Sequence, residues 1–147
     1  MTNRHLDEVL EIERASFPTP WPRSSFLNEL YANDCAYYYV GLHEGKVIGY
    51  AGMWIILDEA HVTNIAVHPH FRGRGLGGLL LEVLMQEAIA LGADRMTLEV
   101  RVSNLTAQHL YERLGFVRAG IRKGYYHDTQ EDAIIMWKHL YSEREKS

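Results

Sequence analysis

A glycine-rich stretch at residues 70–84, HFRGRGLGGLLLEVL, has the residue types and spacing of a phosphate-binding loop. Four glycines and two arginines stand directly before a leucine-rich segment that has helical character. Glycines at the start of a helix let backbone N–H groups approach a phosphate, and the helix dipole favours an anion there. The stretch fits a dinucleotide-binding turn, a nucleoside-triphosphate loop, a pyrophosphate site for coenzyme A, or a loop that only turns the chain.

The stretch matches the residue pattern of a dinucleotide-binding turn, but its position in the chain does not suit one. Residues 73–78 match Gly-x-Gly-x-x-Gly, and Glu99 stands near the position where that pattern requires an acidic residue. Residues 68–72, however, separate the preceding predicted strand from the first glycine, whereas a dinucleotide turn follows its strand directly. The chain that remains is also too short for a doubly wound sheet, so we reject this interpretation.

The residues at the start of the helix exclude a nucleoside-triphosphate loop. Such a loop needs Gly-Lys-Ser/Thr where the helix starts, and residues 77–79 are Gly-Gly-Leu. The remaining pattern is Arg72-x-x-Gly75-x-Gly77, which lies between a predicted strand and a predicted helix. The free N–H groups at the start of the helix and the charges of Arg72 and Arg74 would surround one bound anion there. This arrangement suits the pyrophosphate of coenzyme A.

A carboxylate in the middle of a predicted strand, RMTLEVRV, is the second chemical signal. Alternation along the strand places Met96, Leu98 and Val100 on one face and Thr97, Glu99 and Arg101 on the other. A carboxylate on a largely buried strand is unfavourable unless it is paired or has a chemical function. Two hypotheses for Glu99 therefore stay open, a salt bridge with Arg101 or Arg118 and a part in the chemistry.

Two further polar residues belong to the helix after that strand. Asn104 stands at its start, where asparagine is a favoured N-cap. Tyr111 lies two turns along the same face, where core packing with Leu110 and Leu114 is the alternative to a chemical role.

Other residues with reactive side chains have no such context. His68 and His70 form an i, i+2 pair without a carboxylate in register, which favours solvated histidines over a metal site. The single cysteine, Cys35, excludes an internal disulfide and has no motif around it, which predicts a buried structural thiol.

Helices and strands must bring these residues together. Helical spacing predicts a first helix from about residue 6 to 17, and after three prolines Ser24 or Ser25 is expected to cap a second helix. Glu44-Gly45 predicts a hairpin turn. Strands are predicted at 36–44, 46–57, 61–67, 95–102, 116–126 and 132–140, and further helices at 76–91 and 106–115. The pattern predicts one mixed α/β domain over residues 1–147.

Composition and charge narrow the class of protein. The 147 residues, 47% of them hydrophobic, are enough for one core. The net charge of -4 does not favour nucleic-acid binding, and no apolar stretch approaches the roughly 20 residues that span a bilayer. The N-terminus has no apolar signal-peptide segment, so we expect a cytoplasmic protein that binds neither nucleic acid nor membrane.

Five segments in order resemble the GNAT acetyltransferases, and among them the bacterial ribosomal-protein-alanine N-acetyltransferases of the RimI type. They are LDEAHVTNIAV at 57–67, the glycine motif, LEVRVSN at 98–104, LYERLGF at 110–116 and YYHDTQEDAIIM at 125–136. The resemblance covers almost the whole chain and implies the GNAT fold, a central mixed, twisted sheet flanked by helices. Family members usually have a short strand before the Met-Thr that leads into the first helix. Either this chain begins downstream of that strand or the sheet has lost its first edge strand.

The resemblance implies a direct transfer from acetyl-coenzyme A to an amine in a ternary complex, without a metal. The glutamate of LEVR, Glu99, is then the base that receives the amine proton, often through water. The tyrosine of LYERLGF, Tyr111, is the general acid beside the coenzyme sulfur. No serine or cysteine is placed as a nucleophile, which agrees with a direct transfer.

The resemblance also implies which residues bind acetyl-coenzyme A. Backbone groups of the strand before the loop meet the pantetheine arm, the loop holds the pyrophosphate, and the asparagine of VSN contacts the coenzyme. The expected residues are Ile65, Ala66, Val67, Arg72, Gly73, Arg74, Gly75, Leu76, Gly77, Gly78 and Asn104. Tyr125, Tyr126 and the polar loop after them are expected to line a peptide entrance, with a surface hairpin as the alternative.

The acceptor implied by the resemblance is a protein N-terminal amine, that of the N-terminal alanine of small-subunit ribosomal protein number eighteen. An α-amine has a pKa of about 7.7–8.0 and a lysine about 10.4, so removing the proton at pH 7 is easier by roughly 3 kcal/mol for the α-amine. Two alternatives stay open: a GNAT enzyme for a lysine or a small-molecule amine, and a non-catalytic acyl-coenzyme A-binding module. A pure binding module would need neither Glu99 nor Tyr111. The oligomeric state is left open.

Overall fold

The computed structural model describes residues 1–141. Its strands are β1 (Ala36–His43), β2 (Lys46–Ile56), β3 (Glu59–Val67), β4 (Arg95–Arg101), β5 (Val117–Tyr126) and β6 (Glu131–His139). Its α-helices are α1 (Leu6–Ser16), α2 (Arg23–Tyr31), α3 (Leu76–Ala90) and α4 (Leu105–Arg113), with 3₁₀ turns at Asn3–His5 and Pro69–Phe71. The strands form one sheet in the order β1-β2-β3-β4-β6-β5. β3 and β4 pair in parallel and the other neighbours pair antiparallel, so the predicted mixed sheet is confirmed.

Two apolar clusters cover the two faces of the sheet. One packs under α3 and α4 and includes Ala51, Leu81 and Tyr111, while the other packs under α1 and α2 and includes Tyr50. Because successive strand residues point to opposite faces, the neighbours Tyr50 and Ala51 assign the two helix pairs to opposite sides of β2.

The predicted hairpin between β1 and β2 is confirmed. Glu44 and Gly45 have φ angles of 51° and 79°, the left-handed conformation that a two-residue hairpin turn requires at both positions.

The contact between β3 and β4 is short, and this determines where the site lies. The two strands pair only at Glu59–Arg95, Ala60–Met96 and His61–Thr97, and then diverge. β3 stays paired with β2 as far as Val67, with a bulge at Thr63. One edge of β3 therefore faces an open gap from residue 62 onwards instead of another strand.

Two predictions of local structure are wrong. α2 begins at Arg23 with Pro22 in extended conformation at the N-cap, so Ser24 and Ser25 lie inside the first turn and do not cap it. Cys35 is exposed and not buried, because it lies in the turn before β1, and connecting turns run over the surface.

The first strand of the described sheet comes after two helices. Within residues 1–141 no strand precedes α1, and β1 is an edge strand of the sheet. The Met1 ammonium group donates a hydrogen bond of 2.9 Å to the Tyr38 carbonyl oxygen on β1. None of the helices within residues 1–141 has both the length and the apolar character needed to cross a membrane.

Candidate functional site

A cleft of about 850 Å³ opens where β3 and β4 diverge. Both strands, the segment after α1, the start and middle of α4, and the segment after β5 form its walls. The lining residues are Glu13, Ser16, Phe17, Pro18, Thr19, Trp21, Val62–Ile65, Leu98–Arg101, Ser103, Asn104, Tyr111 and Tyr125–Asp128. The two predicted catalytic residues, Glu99 and Tyr111, therefore line the same cleft, together with the predicted ligand-binding residues Ile65, Asn104, Tyr125 and Tyr126.

The Glu99 carboxylate is nearly buried and bound on one side only. Its side chain is 8% exposed, and Oε2 lies 2.8 Å from Nε2 of His61 on β3. Oε1 lies 3.8 Å from Nε of Arg122, whose side chain is half-exposed. A nearly buried carboxylate with one oxygen outside a hydrogen bond is suited to accept a proton from a molecule in the cleft.

The salt bridge predicted for Glu99 with Arg101 or Arg118 is wrong. Arg101 binds Asp128 instead, with its two terminal nitrogens 3.1 and 2.8 Å from the two carboxylate oxygens. Arg118 binds Glu112 at 3.1 Å. Each arginine has a carboxylate in hydrogen-bonding geometry elsewhere. The groups beside the Glu99 carboxylate are His61, at hydrogen-bonding distance, and Arg122, at 3.8 Å.

Tyr111 combines core packing with access to the cleft. It is 7% exposed, and its ring packs against Phe116 at a centroid distance of 6.1 Å. Burial raises the pKa of Tyr111 to about 12. Among residues 1–141, no group forms a hydrogen bond with its hydroxyl. The packing hypothesis is confirmed, and the hydroxyl remains a protonated donor at neutral pH.

Glu99 and Tyr111 approach the cleft from opposite faces of the sheet. Leu98 and Val100 belong to the apolar cluster that contains Tyr111. Glu99, between them on β4, points to the other face, as the alternation predicted. A base and an acid so placed can act on two sides of one bond-forming centre.

The glycine loop presents backbone donors. Gly73 and Gly75 have φ angles of 79° and 80°, and Gly75 is the N-cap of α3. The Leu79 amide makes the first helical hydrogen bond, to the Gly75 carbonyl at 3.2 Å, so the N–H groups of residues 76–78 have no acceptor in the helix. The first turn has no acidic residue. This is a favourable surface for an anion.

The start of α3 lies close to Leu110 of α4. A Cβ added at Gly77 or Gly78 would lie 3.5 Å from the Leu110 side chain, which is ordinary contact. Leu76 is the first residue of the helix. The glycine loop is therefore adjacent to the helix that carries Tyr111.

The two loop arginines are placed differently from one another. Arg72 donates from Nε to the Val67 carbonyl at 3.0 Å and from Nη2 to Ser16 Oγ at 2.9 Å, which ties the loop to the ends of β3 and α1. Arg74 is exposed, with its guanidinium 5.2 Å from the centre of the Phe71 ring. Ala66, Val67 and residues 72–78 continue from Ile65 beyond the lining of the cleft, towards the start of α3.

Asn104 caps α4 as predicted. Its side-chain oxygen accepts a hydrogen bond from the Ala107 amide at 3.2 Å, and the residue also lines the cleft. The predicted N-cap is confirmed.

A cluster that the sequence did not predict joins three segments beside Glu99. Asp128, between β5 and β6, binds Arg101 on β4 and accepts a hydrogen bond of 3.2 Å from Thr19 in the segment after α1. The Arg101 guanidinium lies 4.0 Å from the centre of the Tyr126 ring. The hydrogen bond from Arg101 lowers the pKa of Asp128 to about 2. We call Thr19, Arg101, Tyr126 and Asp128 the clasp.

The sequence also did not predict a second carboxylate on the cleft wall, that of Glu13. Glu13 is 2% exposed, accepts a hydrogen bond of 2.9 Å from the Trp21 amide and binds the Tyr50 hydroxyl. Burial, followed by the charge of Glu13, raises the pKa of Tyr50. The sequence pattern could have indicated it, because Glu13 follows Val9 by four residues and is therefore a charged residue on the apolar face of the predicted helix.

The two histidines before the glycine loop contact one another. The His70 amide donates to Nδ1 of His68 at 3.1 Å, and the two rings lie 5.1 Å apart in an edge arrangement. Within residues 1–141, no group of three or more His, Cys, Asp or Glu side chains is arranged to hold a metal ion.

Known proteins show which family has this arrangement. The family model described as the acetyltransferase (GNAT) family matches residues 6–116 of the chain. The chain belongs to the GNAT acetyltransferase family. The resemblance and the fold inferred from the sequence are thereby confirmed.

Similar GNAT proteins have names that agree with the RimI type. A Bacillus subtilis (strain 168) relative, provisionally named a ribosomal protein bS18-alanine N-acetyltransferase, is 47% identical over 132 residues, 90% of this chain and 87% of the relative. The crystal structure of the ribosomal-protein-S18-alanine N-acetyltransferase from Escherichia coli has a TM-score of 0.87 and 36% identity, covering 97% of this chain and 92% of that one. This GNAT protein is an N-acetyltransferase similar to the RimI type.

A more distant GNAT structure contains the coenzyme. Arabidopsis thaliana NAA60 in complex with acetyl-CoA has a TM-score of 0.84 at 17% identity, and the match covers 95% of each chain. At 17% identity, this similarity shows only that the two proteins share a fold.

Proposed function

We propose that this GNAT enzyme transfers the acetyl group of acetyl-coenzyme A to a protein N-terminal amine, and that the N-terminal alanine of ribosomal protein bS18 is its acceptor. The observation that carries the proposal is the placement of Glu99 and Tyr111, which line one cleft from opposite faces of the sheet. The names of the relatives support this acceptor. The reaction would take place in the cytoplasm, where ribosomal proteins are made.

We define the coenzyme side as residues 65–78, and its chemistry fits acetyl-coenzyme A. The N–H groups at the start of α3 and the left-handed glycines would hold the pyrophosphate, with Arg74 as added charge. The open edge of β3 leaves the backbone of Ile65 and Ala66 to bind the pantetheine arm, next to Val67, whose carbonyl accepts a hydrogen bond from Arg72. Asn104 would contact the coenzyme from the start of α4. Coenzyme A supplies the activated thioester for the reaction.

The chemistry would proceed in one ternary complex. The Glu99 carboxylate takes a proton from the acceptor ammonium, directly or through one water, and the freed amine attacks the thioester carbonyl carbon. The C–N bond forms, the C–S bond breaks, and Tyr111 donates its hydroxyl proton to the departing thiolate. The attacking nitrogen then loses its extra proton to water in the cleft, and Tyr111 takes a proton back from water, so the net reaction releases one proton. Because the pKa of Tyr111 is raised to about 12, the hydroxyl holds its proton until the thiolate develops.

We define the acceptor side as residues 17–21 and 125–128 together with Arg101. The clasp joins its two segments, and the acceptor would enter the cleft beside them to reach Glu99. Tyr125 and Tyr126 would line this entrance. A chain end with an α-amine also needs less help in losing its proton than lysine, which suits catalysis by a single carboxylate.

The test is a thiol-release assay with acetyl-coenzyme A and short peptides. One peptide begins with a free alanine and contains an internal lysine, and its partner has the same sequence with a blocked N-terminus. We expect turnover on the free N-terminus only, and a loss of about 10²–10⁴-fold in kcat for Glu99→Gln. Glu59→Gln is the control, since Glu59 lies on β3 outside the cleft and binds Arg95.

Other outcomes would select an alternative. Equal turnover on the blocked peptide would indicate a lysine acetyltransferase. No turnover on either peptide, with acetyl-coenzyme A bound, would refute the peptide acceptor and leave a small-molecule amine or a non-catalytic binding module.

A further inference from the structure

We propose that His61 is a positioning residue for Glu99, and that its hydrogen bond orients the carboxylate towards the acceptor amine. The inference rests on the proposed function of Glu99 as the base. His61 was not among the residues singled out in the sequence, and it lies 38 residues before Glu99.

The hydrogen bond lies where the two strands part. His61 is the last residue of β3 that pairs with β4, and its Nε2 is 2.8 Å from Glu99 Oε2. A carboxylate only accepts hydrogen bonds, so Nε2 carries the proton and donates it. The bond fixes the carboxylate at a point where β4 is paired on one side only, with Ile135 of β6, and has no partner on the β3 side.

The imidazole itself is held by a second set of contacts. Its ring meets the Trp54 ring edge-on, with centroids 6.2 Å apart. The Trp54 indole donates to both oxygens of Glu29, at 3.2 and 3.0 Å, and Glu29 is 5% exposed and also binds Asn33 at 2.9 Å. A chain of contacts from α2 through β2 therefore limits the rotation of His61.

His61 dominates the orientation of Glu99, and Arg122 does not. Arg122 is half-exposed and lies 3.8 Å from Oε1, beyond hydrogen-bonding distance, whereas the His61 side chain is 31% exposed and makes a bond of normal length. With Oε2 occupied by His61, Oε1 is the oxygen left for the amine or its water.

Paired variants separate positioning from packing. His61→Phe keeps a ring against Trp54 but removes the donor, while His61→Gln keeps an N–H donor of similar reach. We expect kcat to fall roughly ten- to a hundredfold in His61→Phe, with KM for acetyl-coenzyme A unchanged and most of kcat restored in His61→Gln. His139→Phe, at the exposed far end of β6, is the control.

A double variant tests whether the effect passes through Glu99. In a Glu99→Gln background, His61→Phe should lower kcat little further, because there is no base left to orient. Equal losses in His61→Phe and His61→Gln, or independent losses in the double variant, would overturn the proposal.

An NMR measurement without substrate tests the role of His61 independently of the proposed function. We expect the Nε2–H proton of His61 to give a downfield NMR signal that moves upfield in Glu99→Ala and stays in place in Glu59→Gln. An unchanged signal in Glu99→Ala would refute the positioning role whatever the acceptor. Failure of the wild type to acetylate any peptide would instead refute the proposed function.

Discussion

The coenzyme side and the acceptor side of the cleft are built from different chemical groups. Residues 72–78 offer backbone N–H groups in a conformation that depends on left-handed glycines. The acceptor side depends on side chains, since Thr19, Arg101 and Asp128 bind one another across three segments. A backbone site suits a ligand that is the same in every reaction. A side-chain site can change with a few substitutions, so we infer that the acceptor range of this protein is set on the acceptor side.

After Glu99→Gln, Tyr111→Phe should have the largest effect, and it should change the binding of neither acetyl-coenzyme A nor the peptide. We expect kcat to fall about 10²-fold with both KM values unchanged, because the leaving thiolate loses its proton donor. Since the pKa of Tyr111 is about 12, the donor stays protonated as the pH rises, and the wild-type kcat should show no loss from this group up to about pH 10. Steady-state kinetics from pH 7 to 10 would check both.

The control for this variant is Tyr39→Phe. Tyr39 is a tyrosine on β1 whose pKa burial also raises to about 12, and it lies outside the cleft. If both variants lose the same activity, the effect of Tyr111→Phe is one of packing and not of proton transfer.

Gly75→Ala should affect the coenzyme side alone. A left-handed φ is unfavourable for alanine by roughly 1–2 kcal/mol, so the loop should relax away from its binding conformation. We expect KM for acetyl-coenzyme A to rise about tenfold while KM for the peptide stays constant. Gly45→Ala is a close match, since Gly45 has a φ of 79° and equally open surroundings but lies in the β1–β2 hairpin. A similar rise in KM for Gly45→Ala would contradict a local binding role.

Asp128→Asn should affect the acceptor side alone. Loss of the charged pair should release the segment after β5 from Arg101 on β4 and weaken the hydrogen bond that Asp128 accepts from Thr19, raising KM for the peptide by about threefold to tenfold. KM for acetyl-coenzyme A should not change. Glu112→Gln, which breaks an exposed pair with Arg118 outside the cleft, should change neither constant. A rise in both KM values for Asp128→Asn would break the division between the two sides.

The smallest effect should appear in the pH dependence of stability. Because Arg101 lowers the pKa of Asp128 from 3.8 to about 2, folding favours the ionised carboxylate. Its stabilisation is present above pH 3.8 and is lost as the pH falls towards 2. Thermal unfolding of the wild type and Asp128→Asn should differ at pH 6 and converge at low pH. A difference that grows with acid would contradict this assignment.

The sequence predicted the coenzyme side better than the acceptor side. The glycine loop, the helix it begins and the N-cap Asn104 are encoded by adjacent residues, and the structure confirms the helix and its cap. The faces of β4 followed from simple alternation. The roles of Glu99 and Tyr111 came from the family resemblance, and they remain proposals.

The partners of Glu99 and Arg101 could not be read from sequence spacing. His61 reaches Glu99 only because β3 and β4 pair in parallel before they diverge, and Asp128 reaches Arg101 across 27 residues through the β5–β6 hairpin. The salt-bridge hypothesis for Glu99 named Arg101 or Arg118 as partner, because a single sequence gives charge but not distance. Glu13 could have been found, since it breaks an apolar helical face.

The short pairing of β3 with β4 has a consequence for how the protein unfolds. Within residues 1–141, three residue pairs connect β1–β3 to β4–β6 in the backbone ladder. Amide protons along this seam should exchange with solvent through local opening sooner than those inside either half. A coenzyme bound across the seam would oppose that opening, and by mass action it would stabilise the folded chain by about 2.7 kcal/mol at 100 times its Kd. The folded enzyme should therefore persist longer when the concentration of its acetyl donor is higher.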